Sequence, residues 1–396
     1  MRWRRKRKIS SAYNPNNRVK LVHGGKEYFD LLEQLIDNAE KTIHFQTYIF
    51  DYDETGKRIY NALLGAAKRN VKVYLMLDGY ASGSLPDDFI KPLKQAGISF
   101  RWFEPLFSST KFYFGRRLHH KVVVVDEIFS LVAGLNIGNR YNDIGNSKAW
   151  LDFAIFTEGQ ASVTLSQVCA RLWGKKLKNE KLPNAEKKII LKDGTPNSHA
   201  LVRIRRNDWV RGRHDISKSY IEMFNKAKKN ITIMSSYFIP GSIFRIRIKA
   251  ALKRDVKIKV ILAGISDIQL SKYAERYWYA WMLRNNIEIY EYQKSVLHAK
   301  AAVCDNQWAT IGSYNVNNLS AYASIELNLD IKDDHFMHSL TAEIDKIIKN
   351  DCIRVTKEQF EKQKNIFWKF TAWISYTITR VLLFFFTYSQ EKKKDN

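Results

Sequence analysis

The chain carries one eight-residue pattern twice, HHKVVVVD at 119–126 and HAKAAVCD at 298–305, and both read His-x-Lys-x4-Asp. His119 and His298 stand 179 positions apart. Either the copies form one site or two unrelated strands look alike, and the flanking sequence decides between these. AEKTIHFQTYIF (39–50) resembles AKKNITIMSSYF (227–238), and AAKRNVKVYLML (66–77) resembles ALKRDVKIKVIL (251–262). AGISFRWFEP (96–105) holds the place that NNIEIYEYQK (285–294) holds later. The order is the same in both copies: helix, strand, helix, strand, helix, strand, motif strand. A repeat of this length is a duplicated supersecondary unit.

Helices alternating with short apolar strands predict α/β layering. YFDLLEQLIDNAEK (28–41) places Phe29, Leu32, Leu35 and Ile36 on one helical face. VKVYLMLDG (71–79) is β-branched and ends in Asp-Gly, a strand entering a turn. Lys, Asn, Pro and Gly crowd 175–198, which sets the inter-repeat boundary. The predicted division is a basic tail at 1–17, repeats at 18–185 and 186–350, and a C-terminal segment at 351–396.

On an extended strand side chains alternate, so His119 and Lys121 share a face, as do His298 and Lys300. Imidazole titrates near neutrality and serves as nucleophile or proton donor at phosphorus. Lysine holds a non-bridging phosphate oxygen. Asp126 and Asp305 are candidates for fixing a ring tautomer, but they are out of phase with the histidines and need a bend or the partner half. Asn136 and Asn315 each follow their histidine by 17 residues and offer amide donors. Ala133, Gly134, Gly312 and Ser313 are small enough for close backbone approach to a ligand. His120 points away from His119 and is expected to be packed; His335 and His338 are expected at the surface. RIRRNDWVRGRH (203–214) is either a solvated strand and loop or the lining of an anionic path.

Sixty-five Lys and Arg against 40 Asp and Glu give a formal charge of +25, which points to nucleic acid or an anionic membrane. Three scattered cysteines fit reduced thiols and no structural zinc. MRWRRKRK at the start is either a solvated tail or an electrostatic tether. From 366 onward, Lys369, Tyr376, Arg380 and Thr387 form a narrow polar stripe with aromatics opposite. The expectation is a helix lying in the membrane interface; a true span and a core-packing helix remain open.

The paired motif resembles the phospholipase D superfamily over roughly 18–345. NRVKLVHGGKEYFDLL (17–32), GLNIGNRY (134–141) and SSYFIPG (235–241) resemble bacterial cardiolipin synthases in the form lacking N-terminal transmembrane helices. Where those enzymes tend to carry Pro-Trp-Arg-Asp, this chain has AWLD (149–152); Ala321 and Ala323 stand where Asp and Arg are usual. The resemblance implies a duplicated α/β layered sandwich with mixed sheets and a pseudo-twofold axis at the active site. It implies a two-step transfer through a phosphohistidine, with no metal and no cofactor. His119 would attack and His298 act as acid and base, or the reverse. Lys121, Lys300, Asn136 and Asn315 would bind phosphate oxygens, with Gly134, Ser313, Asp152 and Glu326 completing the substrate-binding set. The expected activity is transfer between two phosphatidylglycerols to give cardiolipin and glycerol, at the cytoplasmic face of the cell membrane. A phospholipase D-type hydrolase, a metal-independent nuclease and a silent membrane scaffold are the alternatives. The leading reading involves no nucleic acid.

Overall fold

The computed structural model describes residues 12–105, 116–174, 199–317, 320–321 and 324–363, with 374, 375 and 377. The first half contributes strands β1 (Asn14–His23), β2 (Thr42–Thr47), β3 (Lys72–Asp78), β4 (Ser99–Phe103), β5 (Lys121–Val125), β6 (Phe129–Ala133) and β7 (Phe153–Gly159). The second contributes β8 (Ala200–Asp208), β9 (Arg213–His214), β10 (Asn230–Ser235), β11 (Lys257–Ile265), β12 (Glu288–Val296), β13 (Ala301–Cys304), β14 (Trp308–Gly312), β15 (Glu326–Lys332) and β16 (Cys352–Val355).

Hydrogen bonding orders the first half β4-β3-β2-β5-β6-β7-β1 and the second β12-β11-β10-β13-β14-β15-β8. The sequences of pairing are the same, and antiparallel β1–β8 contacts join them. Direction matches too. β2, β3 and β4 run parallel with β5 reversed, as β10, β11 and β12 run parallel with β13 reversed. The mixed sheet is therefore duplicated about a pseudo-twofold at β1 and β8.

The valine run of β5 is apolar at every position because both of its faces are covered. Val122 and Val124 join a central cluster with Val132 of β6 and with Ala301, Val303, Ala309 and Ile311 of β13 and β14. Val123 and Val125 face outward into a second cluster, under helices α1 (Lys26–Asp37), α2 (Glu54–Lys68) and α3 (Asp87–Gln95). Helix α4 (Gln160–Trp173) and the helix Asp334–Asp351 pack into the central cluster. Helices α5 (Asp215–Lys226), α6 (Ser242–Leu252) and α8 (Tyr279–Arg284) cover the outer face of the second half; α7 (Gln269–Arg276) precedes α8. Outer helices thus flank the two halves of the sheet, whose inner faces meet each other, α4 and the helix Asp334–Asp351 in the central cluster.

Helix α1 buries Phe29, Leu32, Leu35 and Ile36 as the periodicity requires. Other expectations shift. β1 already begins at Asn14, inside the stretch assigned to the basic tail, because it pairs with β7 and β8. β16 adds an antiparallel edge to β12, so residues 352–355 continue the second half. Arg203 and Arg205 of the basic run neither line a path nor stand in solvent: Asp330 pairs with both, at 2.8 and 3.5 Å, and is fully buried. The tail 1–11, the linker 175–198 and the segment from 378 lie outside the described residues, as do Ala323 and the greater part of 364–377.

Candidate active site

The motif strands begin later than the motif. β5 starts at Lys121 and β13 at Ala301, so both histidines precede their strands. The reason lies across the pseudo-twofold. His298 N–H and Ala299 N–H both donate to Leu151 O, and Leu151 N–H donates back to Val296 O. His120 N–H donates to Ile325 O, and Ile325 N–H donates to Arg117 O. Each motif is thus stitched to a segment of the opposite half.

That stitching places a carboxylate from each half beneath the other half's ring. Asp152 follows Leu151, and its Oδ2 lies 2.6 Å from His298 Nδ1. Glu326 follows Ile325, and its Oε2 lies 3.0 Å from His119 Nδ1. Nδ1 of each ring is thus engaged by a carboxylate, which turns Nε2 away from that partner. The expectation had Asp152 and Glu326 binding substrate; instead they hold the histidines. Gly134 is the enabling residue for one pair, since a Cβ there would stand 2.4 Å from Asp152 Oδ1. Its counterpart Ser313 uses a hydroxyl to donate to Glu326. These two small residues accommodate the carboxylates, not the substrate that was expected.

Asp126 and Asp305 do not reach either ring. They sit in the β5–β6 and β13–β14 turns with φ of 50° and 51°, each followed by a second left-handed residue. Asp and Asn tolerate that conformation at three of the four positions, and in each loop the third residue's N–H closes the turn onto the last strand carbonyl (Ile128 to Val125, Gln307 to Cys304). Asp126 accepts from the backbone N–H groups of Glu40, Lys41 and Thr42, between 2.7 and 3.0 Å. Asp305 accepts from Lys228, Lys229 and Asn230 at 2.8 to 2.9 Å. The motif aspartates therefore lock each hairpin to the strand beside it. Their assignment as catalytic tautomer-fixing groups is corrected accordingly.

Lys121 Nζ donates to His119 O at 2.5 Å, and Lys300 Nζ donates to His298 O and, at 3.1 Å, to Ser236 Oγ. Tyr48, the counterpart of Ser236, packs its ring 4.9 Å from that of His119 and 5.3 Å from Lys121 Nζ. Tyr141 and Trp150 flank His298 at 5.3 and 5.9 Å. None of these four was singled out. Tyr48 and Ser236 were legible as matching positions just past matching strands; Tyr141 and Trp150 have no such signal. Asn136 accepts from Ile49 N–H and donates to the Tyr141 hydroxyl, so its amide braces the site wall. Asn315 is buried, and its Oδ1 has no hydrogen-bond partner among the described residues. His120 turns away and bonds Gln46 at 2.9 Å, and burial lowers its ring to about 3.

Both rings and both lysines act on one another electrostatically, which marks a single site. Burial lowers the His119 ring, opposed by Glu326, with Lys121 and Lys300 adding to the fall. Burial, then Lys300, Lys121 and His119, push the His298 ring well below its ordinary value. Burial lowers Lys121 to about 7 and Lys300 to about 8, against the pull of Glu326 and Asp152 respectively. Burial raises the Asp152 carboxyl to about 7, with Lys300 opposing. Burial thus favours the uncharged form of Asp152 and of the His298 ring alike. Such a site suits an anion that restores the charge on the lysines and draws a proton onto a ring.

Two carboxylate-held imidazoles and two buried lysines, supplied crosswise by a duplicated α/β sandwich, define an enzyme of the phospholipase D superfamily. The family described as "Cardiolipin synthase, PLD-like domain" matches residues 32–163 and 220–348, and the chain belongs to it. Cardiolipin synthase B of Escherichia coli (strain K12) is 30% identical over 370 residues, covering 90% of this chain and 86% of that protein. A cardiolipin synthase of Clostridium perfringens is 29% identical over 364 residues, covering 90% and 75%. The crystal structure of phosphatidylserine synthase from Haemophilus influenzae superposes with a TM-score of 0.70 over 94% of this chain and 96% of that one, at 12% identity. That last likeness shows the shared fold.

Proposed function

We propose that the chain is a phosphatidyltransferase of cardiolipin synthase type, joining two phosphatidylglycerols into cardiolipin and releasing glycerol at the cytoplasmic face of the membrane. The two repeats, from β1 to α4 and from β8 to β16, act as the halves of one catalytic unit. The observation that carries this is the crossed pairing of Asp152 with His298 and Glu326 with His119. In the first step His119 Nε2 attacks the phosphorus of one phosphatidylglycerol. The bond from phosphorus to the glycerol oxygen breaks, and the proton of the Asp152–His298 pair passes to that oxygen. Lys121 and Lys300 neutralise the non-bridging oxygens. In the second step His298 Nε2 takes a proton from the glycerol hydroxyl of a second phosphatidylglycerol. Its oxygen attacks phosphorus, the nitrogen–phosphorus bond breaks, and His119 is regenerated.

His119 is given the attack because its side chain is the more exposed, 20% against 10% for His298. His298 is given the proton because burial raises its carboxylate partner to about 7, within the range where that carboxyl exchanges a proton at neutral pH. The test is purified full-length protein incubated with phosphatidylglycerol vesicles. Cardiolipin and glycerol should appear in equal amounts, and an adduct trapped with labelled lipid should map to the peptide containing His119. Absence of cardiolipin and of every other transferred phosphatidyl product refutes the transferase. Phosphatidic acid alone would make water the acceptor.

A further inference from the structure

Helix α7 is built inside out. Lys272 and Glu275 are buried, while Leu270 and Tyr273 on the other side are 38% and 39% exposed. Lys272 Nζ donates to Glu291 Oε1 at 2.9 Å and to the Tyr279 hydroxyl at 3.0 Å. Glu275 accepts the backbone N–H of Phe238 at 2.9 Å. This ionic anchor fixes the helix with Leu270 and Tyr273, its large apolar residues, outward, an arrangement the hydrophobic effect alone would reverse. Ile265 and Ile268, in the approach to α7, are 47% and 48% exposed. Neighbouring α6 exposes Ile243 and Ile246 at 54% and 63%, beside exposed Arg247 and Lys249. The Arg245 guanidinium of α6 lies 4.4 Å from the ring centre of Trp278, two residues past the end of α7.

The patch lies at the catalytic edge. α6 and α7 follow the C-terminal ends of the parallel strands β10 and β11. Lys300 reaches Ser236 just past β10, and Asp267, just ahead of α7, acts on the His298 ring. Tyr52 and Tyr80, past the equivalent strands of the first half, are 54% and 59% exposed on the same edge. Clustered exposed apolar groups mark an interaction surface, and Ile, Leu and Tyr beside Arg and Lys suit the headgroup zone of an anionic bilayer.

We propose that α7 and the first two turns of α6 dock this edge onto an anionic lipid surface, inserting Ile268, Leu270, Tyr273 and Ile246 so that the histidines face the membrane. This rests on the phosphatidyl chemistry proposed above only where activity is measured. Leu270→Asp/Tyr273→Asp, made in the full chain, is sedimented with vesicles of phosphatidylglycerol and phosphatidylcholine. Its affinity is expected to fall at least ~10-fold, about 1.4 kcal/mol. Activity on vesicles should fall with it, while turnover of monomeric short-chain phosphatidylglycerol stays within ~2-fold of wild type. Ile246→Asp is the second variant and should act in the same direction. A polarity-sensitive fluorophore on Ile268→Cys should shift to the blue on these vesicles and not on phosphatidylcholine alone. Unchanged sedimentation by both variants overturns the proposal. So does an equal loss on monomeric substrate, which would put the residues in the catalytic machinery. A fluorophore already shifted before lipid is added assigns the face to the chain's own C-terminal residues or to a second copy, and also overturns it. Sedimentation and fluorescence read docking even if no cardiolipin forms, so the two proposals fail separately.

Discussion

Asp152→Asn separates a group that holds a proton from one that merely fills space. The carboxylate lies 2.6 Å from His298 Nδ1 and accepts the Phe153 N–H at 2.8 Å. An amide retains the size and the backbone bond, and it loses the charge that stabilises an imidazolium. Two unit charges about 4 Å apart at an effective dielectric of about 20 interact by about 4 kcal/mol. Each 1.36 kcal/mol is a factor of ten in rate, so kcat should fall ~10²- to 10³-fold. Initial rates of glycerol release from phosphatidylglycerol vesicles measure the loss, and a thermal melt checks the fold. KM should change little, because the lost interaction strengthens only when His298 is charged. A fall smaller than ~10-fold, with folding intact, refutes the idea that the Asp152–His298 pair carries the working proton.

Gly134→Ala should mimic that loss indirectly. Its Cβ would stand 2.4 Å from Asp152 Oδ1 and push the carboxylate off His298, so a folded variant with wild-type turnover would contradict the geometry. Asp305→Asn should spare kcat and lower stability by about 1 kcal/mol at neutral pH, since the carboxylate bonds three backbone N–H groups at a partly exposed turn. Burial would raise this carboxyl, but Asn230, Lys228 and Lys229 outweigh it and hold it below its ordinary value. Its contribution is therefore complete above the unfolded value of ~3.9 and fades as pH falls through the folded one, so denaturation midpoints of the variant and wild type should converge in acid. On the alkaline side, kcat/KM should decline as pH rises through about 7 to 8, where Lys121, Lys300 and the Asp152 pair lose protons; a profile flat to about pH 9 would exclude these groups from the working charge state.

The repeat made the fold legible because a duplicated unit must bury matching faces, and the strand order of one half reappears in the other. The histidines and lysines were legible for the same reason. The carboxylates were misassigned because proximity along the chain favoured Asp126 and Asp305, seven residues after their histidines. Alternation already opposed that choice, and the structure resolves it: the motif aspartates serve the hairpin turns, and the ring partners come from the other half. Such an exchange leaves no local signature, since His119 and Glu326 are 207 residues apart and His298 and Asp152 are 146 apart. It does leave a relational one, because Asp152 and Glu326 each stand at the entry of the strand that follows the motif hairpin. Crossing the partners also has a functional consequence. Neither half holds its own imidazole, so each ring meets its carboxylate only when both halves are folded and docked.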